Sequence, residues 1–456
     1  MKHVHLIGIG GTGISSIARV LLEKGYQVSG SDRVLSTLAL DLRQAGATIF
    51  AGHAPENISG ADIVVRSSAI PDENAEVQAA LTAGIPVQKR SDFLGTLLNQ
   101  YKSLAVAGSH GKTTTSAMLA WSLTSLGQDP SYILGGVSSN LQNNAHAGSG
   151  ELFVIEADEY DRMFLGLNPD VILFTAIGYD HPDCFPTPAD YEQAFHQFAA
   201  CLKPQGLMVA PVDEASRLKI FSSAPQSRKA YTYGLADAAQ YQAIDLKVND
   251  AGGFSFHIRY DNSNLVRADL KVPGKHNVMN ALGVFSVLHQ LGFSPVKIAE
   301  ALSQFTGTGR RFEIVGEVAG VTVVDDYAHH PAKIQATLAA ARSRFPGRRI
   351  VALWQPHTYS RTRALAEDFA ASFHDADVVI VSEIYASREK PESYSSRQVA
   401  EKILYAETHF VPSLPEISSL LAKKLQPGDV LIVLSAGDAN QVCPEVLATL
   451  SERKTK

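Results

Sequence analysis

The chain has 456 residues, enough for about three domains, and its 45% hydrophobic and 19% charged residues are ordinary for a globular protein. A formal net charge of −6 with no long Lys/Arg run argues against a nucleic-acid or membrane-surface partner. No apolar run approaches the ~20 residues that a membrane span needs, and glycines interrupt the N-terminus too early for a signal peptide. Three widely spaced cysteines indicate reduced thiols in a cytoplasmic protein.

The first elements are a strand at 4–9, a helix at 13–23 and a strand at 26–29. The glycines between the first two fit G-x-G-x-x-G, and an acidic residue ends the next strand about 20 residues on. This pattern predicts a loop that binds a diphosphate, together with a carboxylate that binds a ribose hydroxyl. Both NAD and a UDP-sugar fit this description. A purely structural turn is the alternative. The predicted binding residues, including a later strand end, are Gly10, Gly11, Thr12, Gly13, Asp32, Ser67, Ser68 and Ala69.

A second block begins with the apolar run at 104–107, followed by a glycine turn and a helix start. Backbone N–H groups and the positive end of the helix would face an anion there, with Lys112 on the β- and γ-phosphates and Thr113 on Mg²⁺. The spacing is G-x-x-G-K-T-T, shorter than the general phosphate-loop motif. The pattern predicts ATP binding, and an ordinary glycine turn is the alternative. The predicted ATP-binding residues of this loop are Gly108, Ser109, His110, Gly111, Lys112, Thr113 and Thr114.

An acidic cluster at 156–161 follows the apolar strand at 151–155. Four carboxylates in six residues repel each other unless a cation lies among them, so Glu156, nearest the strand, is the predicted Mg²⁺ ligand. His181 follows the next strand and is a candidate second ligand, although a lone histidine at such a place is more often structural.

Residues 230–271 contain short alternating segments that predict an antiparallel patch attached to the second domain. Asn277 and Asn280 then share one helix face and are candidate ATP contacts, with N-capping by Asn277 as the alternative. Arg311 follows a glycine-rich hinge at 307–309, so it could reach the transferred phosphate when domains close. A solvated hinge arginine is the alternative.

The third block contains four predicted strands, at 321–324, 350–354, 378–381 and 430–434. Polar residues follow each of them, and open α/β sheets bind ligands at the carboxyl ends of their strands. The candidates there are Asp326, Tyr327, His329 and His357, with Arg361 shortly after.

Together these motifs resemble the Mur ligases, ATP-dependent amide-forming enzymes of peptidoglycan synthesis, over essentially the whole chain. The markers within the family include 325–331, which contains Tyr-Ala-His-His-Pro, and 355–362, which begins Gln-Pro-His. The second is the most discriminating, because a recycling relative shares the His-His-Pro stretch and is expected to lack the stretch at 355–362. The resemblance implies an α/β protein with a Rossmann-like N-terminal domain at 1–99, a central P-loop ATPase-like domain at 100–308 and a Rossmann-like C-terminal domain at 309–456. It is closest to the branch that adds L-alanine to the carboxylate of UDP-N-acetylmuramate through an acyl phosphate.

The resemblance also implies roles. Lys112 and Thr113 would hold ATP phosphates and Mg²⁺, with Glu156 and His181 as metal ligands. The N-terminal glycines would hold UDP. Asn277 and Asn280 would contact the nucleotide, and the remaining roles fall to residues of the hinge and the third domain. The full catalytic set is Lys112, His181, Arg311, Asp326, His329 and His357, and the muramyl and amino-acid site is lined by Tyr327, His329, His357 and Arg361.

Two positions depart from the expected pattern of this branch: Tyr160 replaces an expected serine, and Thr358 replaces an arginine found in some members. Residues 195–198 lack a lysine that many Mur ligases have, and this absence is expected for the branch that adds L-alanine. A recycling ligase that attaches a murein tripeptide to UDP-N-acetylmuramate tends to share Tyr160 and is the alternative within the family. An NAD-dependent oxidoreductase and a non-catalytic nucleotide-binding protein are the alternatives outside it. We expect small-molecule substrates only, and a monomer or homodimer.

Overall fold

The structure is a computed structural model that describes residues 2–182, 184–226, 228–387 and 389–454. The chain divides into two compact units, described separately below. One comprises Met1–Asp245, His257–Ala268 and Met279–Phe305, and the other comprises Leu246–Phe256, Asp269–Val278 and Thr306–Lys456. The boundaries at residues 99 and 308 stay a prediction.

The N-terminal part is a five-stranded parallel sheet in the order β3-β2-β1-β4-β5. Because the chain runs outward from β1 in both directions, the gap between β1 and β4 is the place where such sheets bind ligands. The elements are β1 (His3–Ile7), α1 (Thr12–Glu23), β2 (Gln27–Asp32), α2 (Thr37–Gln44), β3 (Thr48–Ala51), β4 (Ile63–Arg66), α3 (Ala75–Thr82), β5 (Val87–Lys89) and α4 (Arg90–Leu98).

The central sheet has ten strands in the order β15-β14-β13-β12-β11-β10-β6-β9-β7-β8. Its strands are β6 (Lys102–Ala107), β7 (Ser131–Ser138), β8 (Asn143–His146), β9 (Leu152–Glu156), β10 (Val171–Phe174), β11 (Leu207–Pro211), β12 (Lys229–Gly234), β13 (Tyr241–Val248), β14 (Phe254–Tyr260) and β15 (Ser263–Asp269). Its helices are α5 (Lys112–Ser125), α6 (Pro188–Ala200), α7 (Val212–Leu218), α8 (Lys275–Gln290) and α9 (Pro295–Ser303).

The predicted antiparallel patch is wrong at its first pair, because β12 and β13 run parallel and extend the large sheet. The central strands β6, β9 and β10 are nearly fully buried, as expected for parallel strands covered on both faces. Their carboxyl ends carry the phosphate loop, the acidic cluster and the segment before His181.

The C-terminal sheet has the order β16-β17-β21-β18-β19-β20, parallel except for the edge strand β16. Its elements are β16 (Glu313–Val318), β17 (Val321–Asp326), α10 (Pro331–Arg344), β18 (Ile350–Gln355), α11 (Tyr359–Ala364), α12 (Ala366–Ala370), β19 (Val378–Val381), α13 (Arg397–Ala400), β20 (Glu407–Phe410), α14 (Leu414–Lys424), β21 (Val430–Ser435) and α15 (Val442–Lys454). The four predicted strands are confirmed, and the sequence reasoning missed β16 and β20.

Candidate active site

The phosphate loop follows β6, and its two glycines have backbone conformations that side chains rarely adopt. Gly108 has φ +146 and Gly111 has φ +84. A Cβ on Gly108 would lie 2.1 Å from Thr175 Oγ1, and one on Gly111 would lie 2.7 Å from Asn280 Oδ1. Both glycines are therefore needed for space as well as for backbone conformation. The second contact also places Asn280 against the loop, where an ATP contact was predicted.

Ser109 fixes the loop to the neighbouring strand end. Its N–H donates to Ala176 O at 2.8 Å, and its hydroxyl lies 2.7 Å from the Tyr191 hydroxyl and 2.5 Å from Gly178 O. These bonds anchor the loop just before the N-terminus of α5, where the N–H groups of the first helical turn can bind phosphate. Tyr191 was not singled out from the sequence, since nothing in its helical context marks it.

Lys112 forms an ion pair with a buried carboxylate. Its Nζ donates to Glu159 Oε2 and to Gly108 O, each at 2.6 Å, and the Glu159 side chain has no solvent exposure. Burial alone lowers the pKa of Lys112, but the charges of Glu159, Asp158 and Glu156 outweigh it and raise that pKa. Lys112 is therefore a fixed positive charge at the loop. Glu159 was not predicted from the sequence, in which Glu156 was the candidate from the acidic cluster.

Burial by itself raises the pKa of Glu159, but the charge of Lys112 and the hydrogen bonds of His181 and Lys112 lower it to about 2. His181 Nε2 lies 3.5 Å from Glu159 Oε1, and the His181 backbone has φ +58. The structure thus brings His181 to the phosphate loop through Glu159.

The predicted metal ligands Thr113 and Glu156 lie together. Thr113 Oγ1 donates to Glu156 Oε1 at 3.2 Å, and Gly135 N donates to Glu156 Oε2 at 2.8 Å. Within the described ranges, no group of three or more His, Cys, Asp or Glu residues has the arrangement to hold a metal. Mg²⁺ prefers oxygen ligands and usually keeps several waters and substrate phosphates, so a hydroxyl and a carboxylate in contact fit this ion.

The N-terminal glycine loop contains the predicted nucleotide residues in one place. Gly10 N donates to Asp32 Oδ2 at 2.9 Å, and Gly11 is the N-cap of α1, which begins at Thr12. Ser67 continues β4 beside it, since a Cβ on Gly8 would lie 3.1 Å from Ser67 Cβ. Ser68 and Ala69 are exposed just beyond. These residues meet at the gap between β1 and β4.

In the other unit, the Asn277 side chain donates to Pro273 O at 2.7 Å. Because α8 begins at Lys275, Asn277 lies inside its first turn, so the N-cap alternative, in which the residue precedes the helix, is wrong. Its role toward a nucleotide stays a prediction.

Asp326 is buried and organises the hinge segment. It accepts hydrogen bonds from Phe312 N at 2.7 Å and Ala328 N at 2.8 Å. Burial raises its pKa, although the charge of Arg311 opposes this. The Arg311 guanidinium lies 4.7 Å from the centre of the Tyr327 ring, so it is stacked on that ring. The contacts of Asp326 are those of a residue that positions backbone.

Aromatic and imidazole rings follow one another at the carboxyl ends of β17 and β18. His329 lies 5.2 Å from the Tyr327 ring and 5.8 Å from the His357 ring, and His357 stacks on Tyr385 at 5.8 Å between ring centres. His329 Nδ1 is bonded to Tyr327 O at 2.7 Å. Arg361, also buried, lies on α11. Tyr385 was not among the residues predicted from the sequence, although it lies just after one of the predicted strands, at 378–381.

Residues 3–102 match the catalytic domain of the Mur ligase family, residues 106–288 its middle domain and residues 310–437 the Mur ligase glutamate ligase domain. The chain is 40% identical over 445 residues to the UDP-N-acetylmuramate–L-alanine ligase of Caldanaerobacter subterraneus, a match that covers 97% of this chain and 96% of that protein. The chain belongs to the Mur ligase family.

Solved structures of Mur ligases give the same result. The UDP-N-acetylmuramate-alanine ligase of Thermotoga maritima is similar over 100% of both chains with a TM-score of 0.84 and 28% identity. A murein peptide ligase of Psychrobacter arcticus covers 99% of both chains with a TM-score of 0.72 and 26% identity. The predicted three-domain Mur ligase architecture is confirmed. No helix in the described part of the chain has the length and apolar character to cross a membrane.

Proposed function

We propose that the protein joins L-alanine to the carboxylate of UDP-N-acetylmuramate at the expense of ATP, in peptidoglycan biosynthesis. The observation that carries this proposal is the Lys112–Glu159 pair within a short phosphate loop, in a chain whose full-length relatives are named for that reaction. NAD chemistry explains neither this loop nor the acidic cluster. The cysteines of the described chain are free thiols, which supports a cytoplasmic protein.

The γ-phosphate of ATP would lie at the N-terminus of α5. There the loop N–H groups and Lys112 bind its oxygens and stabilise the charge that moves during transfer. Lys112 is already fixed by Glu159, so little reorganisation is needed when ATP binds. Thr113 and Glu156, with His181, would hold Mg²⁺, which supplies charge neutralisation at the phosphate oxygens when bound.

The muramyl carboxylate attacks the γ-phosphorus, and the bond from that phosphorus to the ADP oxygen breaks. The product is an acyl phosphate, which the neutral amine of L-alanine attacks to form the amide and release phosphate. An ammonium has no lone pair, so a group must accept its proton. We assign His329 or His357 to this step, since their rings lie 5.8 Å apart at the strand ends. Arg361, a buried residue of α11, would bind the carboxylate.

The decisive experiment measures phosphate release from ATP and Mg²⁺ with UDP-N-acetylmuramate and either L-alanine or the L-alanyl-γ-D-glutamyl-diaminopimelate tripeptide. Release that requires L-alanine, with the matching product mass, supports the proposal. Release that requires the tripeptide would instead establish the recycling ligase, and NADH binding without phosphate release would support an oxidoreductase.

The histidine assignment has its own test, the pH–rate profiles of His329→Ala and His357→Ala. Loss of the acidic limb in one variant identifies the proton acceptor. His374→Ala serves as the control, because His374 is an exposed residue of the same unit whose ring contacts Tyr405. Unchanged profiles in both variants would remove both histidines from this role.

A further inference from the structure

The short helix α11 lies next to two residues of the proposed reaction, and the turn that leads into it is strained. His357 lies two residues before the helix, and Arg361 lies within it. Thr358, which directly precedes the helix, has φ +69 and ψ 142, and its side chain makes no capping hydrogen bond. A residue other than glycine is unfavourable in this backbone region and stays there only when its surroundings hold it. A group outside the helix must therefore fix this turn.

A carboxylate in the connection between β19 and α13 supplies this support. Glu389 Oε2 accepts hydrogen bonds from Tyr359 N at 2.5 Å and from Ser360 N at 3.2 Å. Glu389 Oε1 accepts a further hydrogen bond from the Ser360 hydroxyl. The two N–H groups belong to the first turn of α11, where the helix itself offers no acceptor, and a negative charge is favourable at a helix N-terminus. Glu389 thus provides the cap that the Thr358 side chain does not.

The same connection also holds His357. Thr358 N donates to Tyr385 O and Tyr385 N donates to Pro356 O, each at 2.9 Å. Tyr385 is therefore paired with the backbone on both sides of His357, and its ring stacks on the imidazole. Tyr385 precedes Glu389 by only four residues. One short stretch of chain thus contacts both the histidine and the first turn of α11.

A second carboxylate of this connection contacts the other end of α11 and provides a comparison. Glu392 pairs with Arg363, but the two side chains are 43% and 52% exposed. An ion pair so open to water contributes little. Glu389 instead binds backbone N–H groups next to the strained turn. Of these two carboxylates, only Glu389 therefore restrains the backbone between His357 and Arg361.

We propose that Glu389 is a positioning residue for the amino-acid half of the reaction. By fixing the first turn of α11, it sets the placement of His357, a candidate proton acceptor, relative to Arg361, the candidate ligand for a carboxylate. It acts through these two residues and not on a substrate. This assignment rests on the proposed function, since it requires L-alanine to react beside them. The competing explanation is that Glu389 only stabilises a short helix.

Steady-state kinetics of the full chain, with L-alanine and ATP varied in turn, separate the two explanations. Glu389→Ala should raise KM for L-alanine about 10-fold and lower kcat about 10-fold, because misplacement of reacting groups by about 1 Å can cost about 10²-fold in rate. KM for ATP should stay unchanged, because the phosphate loop belongs to a different sheet. Glu389→Gln keeps one acceptor oxygen for the N–H groups but loses the charge, so it should recover part of the loss.

Glu392→Gln is the matched control, because it removes a carboxylate of the same connection from the same helix, and its kinetics should equal those of the wild type. If Glu389→Ala does not fold, Glu389→Gln gives the same comparison in a milder form. A lower melting temperature with unchanged kinetics, or with equal rises in KM for L-alanine and ATP, would overturn the assignment and leave Glu389 as a structural cap. An equal loss in Glu392→Gln would overturn it as well, because the effect would then not depend on the first turn. Failure of the wild-type protein to release phosphate with L-alanine would instead overturn the proposed function, and the assignment with it.

Discussion

Two buried carboxylates, Glu76 in the N-terminal domain and Glu159 beside the phosphate loop, have the same exposure and nearly the same acidity. Neither side chain has solvent exposure. Burial alone raises the pKa of each, yet favourable partners lower both to about 2. By these two measures they are the same kind of residue.

Their partners differ. Glu76 accepts hydrogen bonds from Ser31 and Asn57, each at 2.5 Å, and lies 3.4 Å from His5 beneath the sheet. Glu159 accepts a hydrogen bond from Lys112, a residue of the phosphate loop that we propose binds the phosphates of ATP. A perturbed pKa therefore does not by itself identify an active site. The identity of the partner is the better guide, because the partners of Glu76 are other groups of its own network, whereas the partner of Glu159 is the lysine of the phosphate loop.

The largest expected effect on activity comes from removing Lys112, the partner of Glu159. Lys112→Met should lower kcat/KM by about 10³-fold or more, since a fixed charge on the transferred phosphate is lost. The same change leaves Glu159 buried without its cation, so the melting temperature should also fall. Activity and thermal unfolding are the two measurements.

Adding Glu159→Gln to Lys112→Met should restore the melting temperature and leave activity low. Lys102→Met is the control, because Lys102 is an exposed lysine at the start of β6, the strand that leads into the phosphate loop. Recovery of activity in the double variant would show that Lys112 serves the fold only.

Glu76→Gln should do the reverse and change stability without changing the reaction. The pKa of Glu76 is lowered from 4.5 to about 2, so its ionised form stabilises the folded state above pH 4.5, and this contribution is lost as the pH falls toward 2. Urea unfolding at pH 7 should show the variant less stable by about 3 kcal/mol, with the difference shrinking between pH 4.5 and 2.

Glu73→Gln is the matched control, an exposed carboxylate just before α3. Equal losses in the two variants, or a difference independent of pH, would contradict the assignment of a buried ionised group. A large change in KM for ATP at 25 °C would make the Glu76 network part of the site after all.

The smallest effect concerns space at the loop. Gly111 and Gly127 have similar positive φ values, +84 and +77. A Cβ at Gly111 would meet Asn280, whereas one at Gly127 would meet nothing within 4 Å, so we compare Gly111→Ala with Gly127→Ala. Both should lose about 1 kcal/mol of stability from backbone strain. Only Gly111→Ala should weaken ATP binding, by about 10-fold, since only it displaces a site residue. Equal ATP affinities of the two variants would mean that the loop accommodates the added Cβ without displacing Asn280.

The sequence was informative where chemistry is local. The phosphate loop, the contact of Thr113 with Glu156 and the glycine loop with Asp32 could be predicted because each depends on residues near a strand end. The inward carboxylate of the acidic cluster could not, because sequence spacing does not say which side chain Lys112 meets.

Three residues around the acidic cluster, Asp161, Arg162 and His181, have left-handed backbones with φ of +54, +52 and +58. Such conformations cost about 1 kcal/mol or more for residues other than glycine. The chain thus retains side chains where glycine would give a more stable fold. Laboratory evolution for heat tolerance alone should accumulate glycine or asparagine at these positions early. The same replacements should be lost when growth depends on the enzyme. The positions at which they are lost would then identify the residues that activity requires.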